Sequence, residues 1–116
     1  MPSPGQIALF AFPQTDLMEG KLRPCLLLGE LPGPYKDWLT CMLSTQPRHY
    51  IAEFDEIIQV GDSDFGISGL KSASLIRVGR LAVVEERMLL GATGEIGSER
   101  LRRIRLRLVD WLNQAD

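Results

Sequence analysis

One arginine stands at the head of an apolar stretch and has the chemistry to bind a phosphate. Arg23 opens the run Arg-Pro-Cys-Leu-Leu-Leu at residues 23–28. Burying a guanidinium among apolar neighbours costs free energy unless it faces a partner, and its planar fork matches the oxygens of a phosphate. A structural interpretation, in which Arg23 hydrogen-bonds loop carbonyls, stays open at this point. Arg23 is the first candidate for a functional residue.

A polar stretch downstream offers hydroxyl groups to the same site. Ser44, Thr45 and Gln46 end an apolar run and precede a proline. If the two runs are neighbouring strands, Arg23 and one hydroxyl converge on a pocket, with Glu19 at its rim. Such a group can cleave RNA without metal, because a base takes the 2′-hydroxyl proton, a cation stabilises the charge developing on phosphorus and an acid protonates the leaving 5′-oxygen. With a pKa of about 12.5 or higher, arginine supplies the cation rather than the base.

Metal and nucleoside-triphosphate sites are not predicted. His49 is the single histidine, and the pairs Asp62/Asp64 and Asp55/Glu56 lack the glycine and distal glutamate of a calcium loop. These acids are expected in a turn and on a solvated face. No glycine-rich phosphate loop with its lysine occurs. We expect no metal and no cofactor, and His49 is either a loop histidine or a titrating group at the edge of the pocket.

Length and composition favour one globular domain over residues 1–116. The chain has 116 residues, 45% of them hydrophobic, which is enough for a core without disulfide or metal support. Cys25 and Cys41 lie in apolar runs, so both are expected to be buried thiols in a reducing compartment. No stretch approaches the roughly 18 apolar residues that span a bilayer, and a cytoplasmic protein is expected.

Charge is distributed unevenly along the chain. Residues 1–70 carry four basic and nine acidic side chains, a net charge of −5, whereas residues 71–116 carry nine and six, a net charge of +3. The overall charge of −2 argues against a non-specific nucleic-acid coat. A short single-stranded RNA site remains open, because it needs only a few well-placed cations.

Hydrophobic periodicity predicts several short strands followed by one helix. The strands are expected at residues 7–12, 23–28, 38–43, 54–60 and 74–84, the last being one long strand or two joined at a bend. A helix is expected to begin at Glu99 with Ser98 as its N-cap, and apolar residues then recur at helical spacing. This order describes a small, strongly bent sheet or barrel of the α+β class, mainly β.

Six short segments carry a family resemblance. They are Gly-Gln-Ile at 5–7, Phe-Pro-Gln-Thr-Asp at 12–16, Lys-Leu-Arg-Pro at 21–24, Leu-Ser-Thr at 43–45, Ser-Gly-Leu at 68–70 and Ser-Leu-Ile-Arg at 74–77. In this order they resemble the successive motifs of the MazF/PemK family of type II toxins. The resemblance implies an SH3-like barrel of short antiparallel strands with a C-terminal helix, working as a homodimer. It also implies a metal-independent endoribonuclease that cleaves single-stranded RNA at short sequences and is neutralised by a cognate antitoxin.

The resemblance assigns roles to particular residues. Arg23 matches the catalytic arginine of the family's Arg-Pro motif, and Ser44 matches the Thr/Ser beside it, with Thr45 the alternative if the register slips by one. Arg77 matches a strand arginine that some members use in acid–base or phosphate-binding roles. Four further candidates for RNA binding are Glu19, Lys21, Gln46 and His49.

Two departures from the family pattern keep other functions open. Gln6 replaces the usual acid after the opening glycine, and Gly79 stands where some members have an aspartate. They favour the alternative of a divergent, non-catalytic member that binds an antitoxin or RNA. A third alternative comes from related topoisomerase-poisoning toxins, in which the C-terminal helix would contact a protein target. The five arginines of residues 100–107 form either a solvated helix face or a docking surface for an acidic antitoxin.

Overall fold

Six strands form one antiparallel sheet. The computed structural model describes residues 2–11 and 22–114 of the chain. Within these ranges the strands are β1 (Gln6–Phe10), β2 (Arg23–Glu30), β3 (Asp37–Ser44), β4 (Glu56–Ile58), β5 (Ser74–Glu85) and β6 (Ala92–Glu95), and their order in the sheet is β4-β5-β3-β2-β1-β6. The helices are α1 (Phe65–Ser68) and α2 (Ser98–Leu112), and 3-10 turns occupy Pro47–His49 and Glu86–Met88.

Three irregularities in strand pairing curl this sheet. The register shifts at residues 7/8 of β1, at 27/29 of β2 and at 41/42 of β3. At the third, Cys41 pairs with Leu81 and Met42 with Arg77, so residues 78–80 of β5 form a bulge. Bulges bend a strand and increase its twist. The result is a half-barrel with a C-terminal helix, which confirms the predicted mainly β, α+β class.

The C-terminal helix packs on one face of the sheet. Its residues Leu101, Ile104 and Leu108 are buried at the spacing of one helix face. Alternate residues of the strands meet them, because side chains along a strand point to opposite faces in turn. The strand residues of this first core are Ile7, Leu26, Leu28, Cys41, Leu43, Ile58, Ile76 and Val78.

The opposite face of the sheet, which we call the second face, carries its own apolar cluster. It comprises Ala8, Phe10, Cys25, Leu27, Trp38 and Val84. Cys25 and Cys41 are both fully buried, as expected from the sequence. Burial raises the pKa of Cys25 to about 11, against a smaller lowering by a hydrogen bond with Thr40, and burial raises the pKa of Cys41 as well. Both thiols are therefore protonated and unreactive at neutral pH.

The N-terminus of α2 differs from its prediction. The helix includes Ser98, its N-cap is Gly97, and no side chain of the cap makes a hydrogen bond, so the assignment of Ser98 as N-cap is wrong. The reason is tertiary: the Asp64 carboxylate accepts a hydrogen bond of 2.9 Å from the Gly97 amide. The Asp64 carboxylate thus supplies a hydrogen-bond acceptor at the helix N-terminus from a distant loop.

Two short elements were not predicted from the sequence. Strand β6 reads Ala-Thr-Gly-Glu and has no apolar alternation, yet it pairs with β1 along the sheet edge. Its Gly94 is required by close packing, because a Cβ there would lie 2.0 Å from the Ile67 carbonyl oxygen of α1. Helix α1 is a single turn that ends at Gly69, whose φ of 71° favours glycine. No helix within the described ranges is long and apolar enough to cross a bilayer.

Candidate functional site

Arg23 is the first residue of β2 and lies on the second face. It pairs with Phe10 of β1 and is half-buried. On the other side of β2, Cys25 pairs with Met42 of β3. Continuing that antiparallel register by two residues brings Arg23 opposite Ser44. The pairing of β2 with β3 is thus in accord with the expected convergence of the arginine with a strand-end hydroxyl, which stays a prediction.

The Ser44 hydroxyl is fixed by the turn that follows it. Ser44 is the last residue of β3, and its Oγ accepts a hydrogen bond of 3.0 Å from the Gln46 amide. This contact is a local serine turn, which ends the strand and orients the side chain. Gln46 contributes its backbone to this turn, and its side chain is exposed.

Arg77 joins the same face from the other neighbouring strand. It pairs with Met42 of β3, two residues before Ser44, and directly opposed residues point to the same side of a sheet. The Asp55 carboxylate fixes the bulge beside it by accepting hydrogen bonds from the amides of Val78, at 3.0 Å, and Ile51, at 2.9 Å. The buried Asp55 carboxylate therefore fixes the backbone of β5 next to Arg77.

Thr45 lies one residue beyond the strand end and is exposed. Because neighbouring side chains alternate, the register places Ser44 rather than Thr45 opposite Arg23. Thr45 instead lines a small cavity of about 220 Å³ with Pro47, Ile57, Ala73, Ser74 and Leu75.

His49 ends the 3-10 turn that follows these hydroxyls. Its amide donates a hydrogen bond of 3.2 Å to the Gln46 carbonyl, so the turn carrying His49 is attached to the turn that fixes Ser44. The ring is partly buried, and Nδ1 is shielded from solvent without a hydrogen-bond partner in the described ranges. The pKa of His49 is lowered, first by burial of the ring and then by the positive charges of Arg77, Arg48 and Arg80.

Three arginines near this turn have no acidic partner in the part of the chain that the structure describes. The side chains of Arg48, Arg77 and Arg80 make no hydrogen bond or ion pair with the described residues. An unpaired cation that remains accessible to solvent is available to an anionic ligand. Glu19 and Lys21, the other two candidates from the sequence, lie outside the described residues.

Three arginines of helix α2, in contrast, have acidic partners within the fold. Arg100 is 9% exposed and contacts three carboxylates: Asp64 at 2.8 Å, Glu56 at 2.9 Å and Asp62 at 2.9 Å. Burial works to raise the pKa of Asp64, but hydrogen bonds from Arg100 and the Gly97 amide outweigh it, and the pKa is lowered. Glu56 also accepts a hydrogen bond from Arg103, at 3.0 Å, and forms an ion pair with Arg107, at 2.9 Å.

This network corrects two expectations from the sequence. Asp62 and Asp64 lie in a turn, as expected, but the acids at positions 55, 56 and 64 are only 3%, 7% and 7% exposed, so the assignment to a solvated face is wrong. The arginines 100, 103 and 107 contact acids of their own fold, and Arg105 donates to the Leu28 carbonyl at 2.6 Å. Most of this helix face is therefore neither simply solvated nor free to dock an acidic partner. The charge pattern alone carried no signal of the pairing, because the acids lie some 40 residues earlier.

Metal ligation is not suggested by the described residues. They include no group of three or more His, Cys, Asp or Glu side chains arranged to hold a metal ion. Near one end of the curled antiparallel sheet the described residues include cations, a hydroxyl and an imidazole. Groups of these types can bind an anion such as a phosphodiester.

Comparison with known proteins defines the family. Residues 3–112 match the family model described as "PemK-like, MazF-like toxin of type II toxin-antitoxin system", and the chain belongs to that family. No curated protein shows significant sequence similarity to it.

Two solved structures share the fold at low sequence identity. One is described as "Crystal structure of MazE-MazF (Form-II) from Deinococcus radiodurans"; the TM-score is 0.72 with 18% identity, over 98% of this chain and 97% of that one. The other is an "Endoribonuclease in complex with its cognate antitoxin from Mycobacterial species", with a TM-score of 0.63 and 19% identity, over 100% of this chain and 99% of that one. Each match runs over nearly the full length of both chains.

Proposed function

We propose that this protein is a toxin endoribonuclease that cleaves single-stranded RNA without a metal ion. The observation that carries the proposal is the strand register, which brings Arg23, Ser44 and Arg77 to one end of the second face. Family membership supports the reaction class, since the chain matches the PemK/MazF toxin model over residues 3–112.

The proposed reaction uses the substrate's own nucleophile. The 2′-oxygen attacks the adjacent phosphorus, the P–O5′ bond breaks, and negative charge develops on the non-bridging oxygens. The Arg23 guanidinium stabilises this charge, which a planar, always protonated fork does well. The Ser44 hydroxyl donates a hydrogen bond that positions the phosphate, and Arg77 neutralises the neighbouring phosphate oxygens.

One of the two departures from the family pattern lies far from Arg23. Gln6 is at the far end of β1, four residues from the partner of Arg23, or about 13 Å along a strand. Gly79 lies in the β5 bulge that follows Arg77, where a Cβ would lie 3.0 Å from the Phe54 ring. The position of Gln6 gives little support to the alternative of a non-catalytic binding module.

The protein is proposed to act as a homodimer in the cytoplasm and to be inhibited by a cognate antitoxin. The two structures of the same fold, each titled as a complex with an antitoxin or with MazE, support an antitoxin as partner. Expression without the antitoxin should arrest growth of a bacterial host, and expression together with it should restore growth.

The activity is tested by incubating purified protein with single-stranded RNA in EDTA. We expect the parent protein to cleave the RNA, and Arg23→Ala to reduce the rate by about 100-fold or more. Arg102→Ala is the matched control, because Arg102 is an exposed arginine of α2. If the parent cleaves no RNA, the activity is wrong; if Arg23→Ala cleaves as fast as the parent, the assigned site is wrong.

A further inference from the structure

We propose that His49 is the general base of this site and takes the proton from the attacking 2′-hydroxyl. The inference rests on the proposed function and names a group that the reaction still lacks. Arg23 and Arg77 are cations at neutral pH, and a serine hydroxyl is a very weak base. An imidazole changes protonation state near neutral pH and is the side chain most often used for such a transfer.

The position of His49 ties it to the hydroxyl and to the arginine of the site. The Gln46 backbone connects two hydrogen bonds: its amide donates to Ser44 Oγ at 3.0 Å, and its carbonyl accepts from the His49 amide at 3.2 Å. The 3-10 turn that ends at His49 packs against β5, the strand that carries Arg77. The turn that carries His49 is thus attached to the turn of Ser44 and packs against the strand of Arg77.

The environment of the ring keeps it neutral. Nδ1 is shielded from solvent and has no partner among the described residues, so the positive charge of a doubly protonated ring would be poorly solvated on that side. The charged groups that act on the ring are Arg48 of its own turn and Arg77 and Arg80 of β5, and all three lower its pKa from the ordinary value of 6.5. At pH 7 the imidazole is therefore unprotonated and ready to accept a proton.

The proton transfer balances without any further reagent. With its own proton on Nδ1, the neutral ring offers the Nε2 lone pair to the 2′-hydroxyl. The 2′-oxygen forms a bond to phosphorus, the P–O5′ bond breaks, and the 5′-oxygen takes a proton from water. The imidazolium then returns its proton to the hydroxide so formed. The products are a 2′,3′-cyclic phosphate and a 5′-hydroxyl end.

The test combines a pH–rate profile with direct titration of the ring. Because the chain has one histidine, its imidazole signals in NMR spectra belong to His49 without assignment. We expect kcat/KM for single-stranded RNA in EDTA to rise with pH to a plateau, with an apparent pKa below 6.5 that equals the NMR value. His49→Gln should fold as the parent does, lose about 100-fold or more in rate, and lose this acid limb.

Arg80→Met provides an independent readout of the electrostatic environment. Arg80 is exposed and carries one of the three charges that lower the pKa of His49. Its removal should raise that pKa, and the acid limb of the rate profile should move to higher pH by the same amount.

The outcomes separate this inference from the proposed function. Cleavage by the parent together with a His49→Gln rate within threefold of it, or with an unchanged acid limb, overturns the role of His49 and leaves the endoribonuclease proposal standing. An apparent kinetic pKa that differs from the NMR value also overturns it. A parent protein that cleaves no RNA at any pH overturns both.

Discussion

Helix α2 and the second face of the sheet both present arginines, and the two sets differ in what they contact. On the helix, Arg100 is buried and satisfied by three carboxylates of the same chain. Beside the strand ends, Arg77 and Arg80 have no acidic partner in the described part of the chain. The same residue type therefore stabilises the fold in one region and remains available to an external anion in the other.

The difference explains why most arginines of α2 are engaged within the fold, although residues 71–116 carry an excess of basic side chains. The acids of β4 and the following turn neutralise the helix arginines, so the +3 excess of residues 71–116 does not concentrate on α2. Exposed arginines without an acidic partner among the described residues include Arg80 of β5 and Arg48 of the 3-10 turn, together with Arg102 of α2. Four predictions test this division.

The largest effect is expected from replacing Arg100, which lies at the centre of the ion pairs that join α2 to Glu56, Asp62 and Asp64. We call these ion pairs the helix network. Arg100→Met leaves Glu56 and Asp64 buried without their main partner, so the free energy of unfolding should fall by about 3–5 kcal/mol. Urea denaturation followed by circular dichroism measures it. Arg102→Met, on the same helix but exposed, should change stability by less than about 0.5 kcal/mol. Equal effects of the two substitutions would show that the network contributes nothing specific.

Arg77→Met should lower RNA cleavage and leave stability nearly unchanged. RNA cleavage should fall by about 100-fold, equivalent to about 2.7 kcal/mol of transition-state stabilisation. Stability should stay within about 0.5 kcal/mol of the parent, because Arg77 has no ion pair to lose among the described residues. A stability loss as large as that of Arg100→Met would place Arg77 in the fold rather than in the site.

The helix network should make stability depend on acid. The pKa of Asp64 is lower in the folded protein than its ordinary value of 3.8, so its contribution is complete above about pH 4 and is lost as pH falls through the folded pKa. Asp64→Asn should cost about 2 kcal/mol at pH 7 and show a shallower fall in stability below pH 4. Unfolding curves collected between pH 2.5 and 7 measure both. If the stability of Asp64→Asn fell with acid as steeply as that of the parent, Asp64 would not be the source of the acid dependence.

The smallest effect separates the two hydroxyls. Ser44→Ala should lower the cleavage rate about tenfold, the value of one hydrogen bond of about 1.4 kcal/mol, whereas Thr45→Ala should change it by less than about threefold. The register is the reason, since continuing the pairing of Cys25 with Met42 by two residues brings Ser44, and not Thr45, opposite Arg23. The reverse order of effects would mean that the strand end is shifted by one residue when RNA is bound.

Local sequence patterns predicted the strands and the helix but not the contacts between distant segments. The strand expected at residues 38–43 is found at Asp37–Ser44, and the helical spacing of Leu101, Ile104 and Leu108 is confirmed by their burial. Strand β6 has no apolar alternation, because it forms by pairing with β1 at the sheet edge. The Ser98 cap failed for a related reason, since Asp64 supplies the acceptor from another loop.

The candidate site likewise has features that the local sequence predicted and features that depend on contacts between distant segments. Arg23 and the strand-end hydroxyls stood out in the sequence because they interrupt apolar runs, and the sheet register adds Arg77 to the same face. The environment of His49 depends on strand β5, some 30 residues later, so its shielded Nδ1 and lowered pKa had no signal in the local sequence. Chemistry carried by residue type was predictable, and chemistry created by packing was not.

The most direct measurement compares one conservative substitution at both regions. Arg23→Lys and Arg103→Lys each keep the positive charge and remove the planar fork. We predict that the rate of RNA cleavage per folded molecule in EDTA falls at least tenfold for Arg23→Lys and stays equal to that of the parent for Arg103→Lys. Equal rates for the two variants would contradict the assignment of catalysis to the second face.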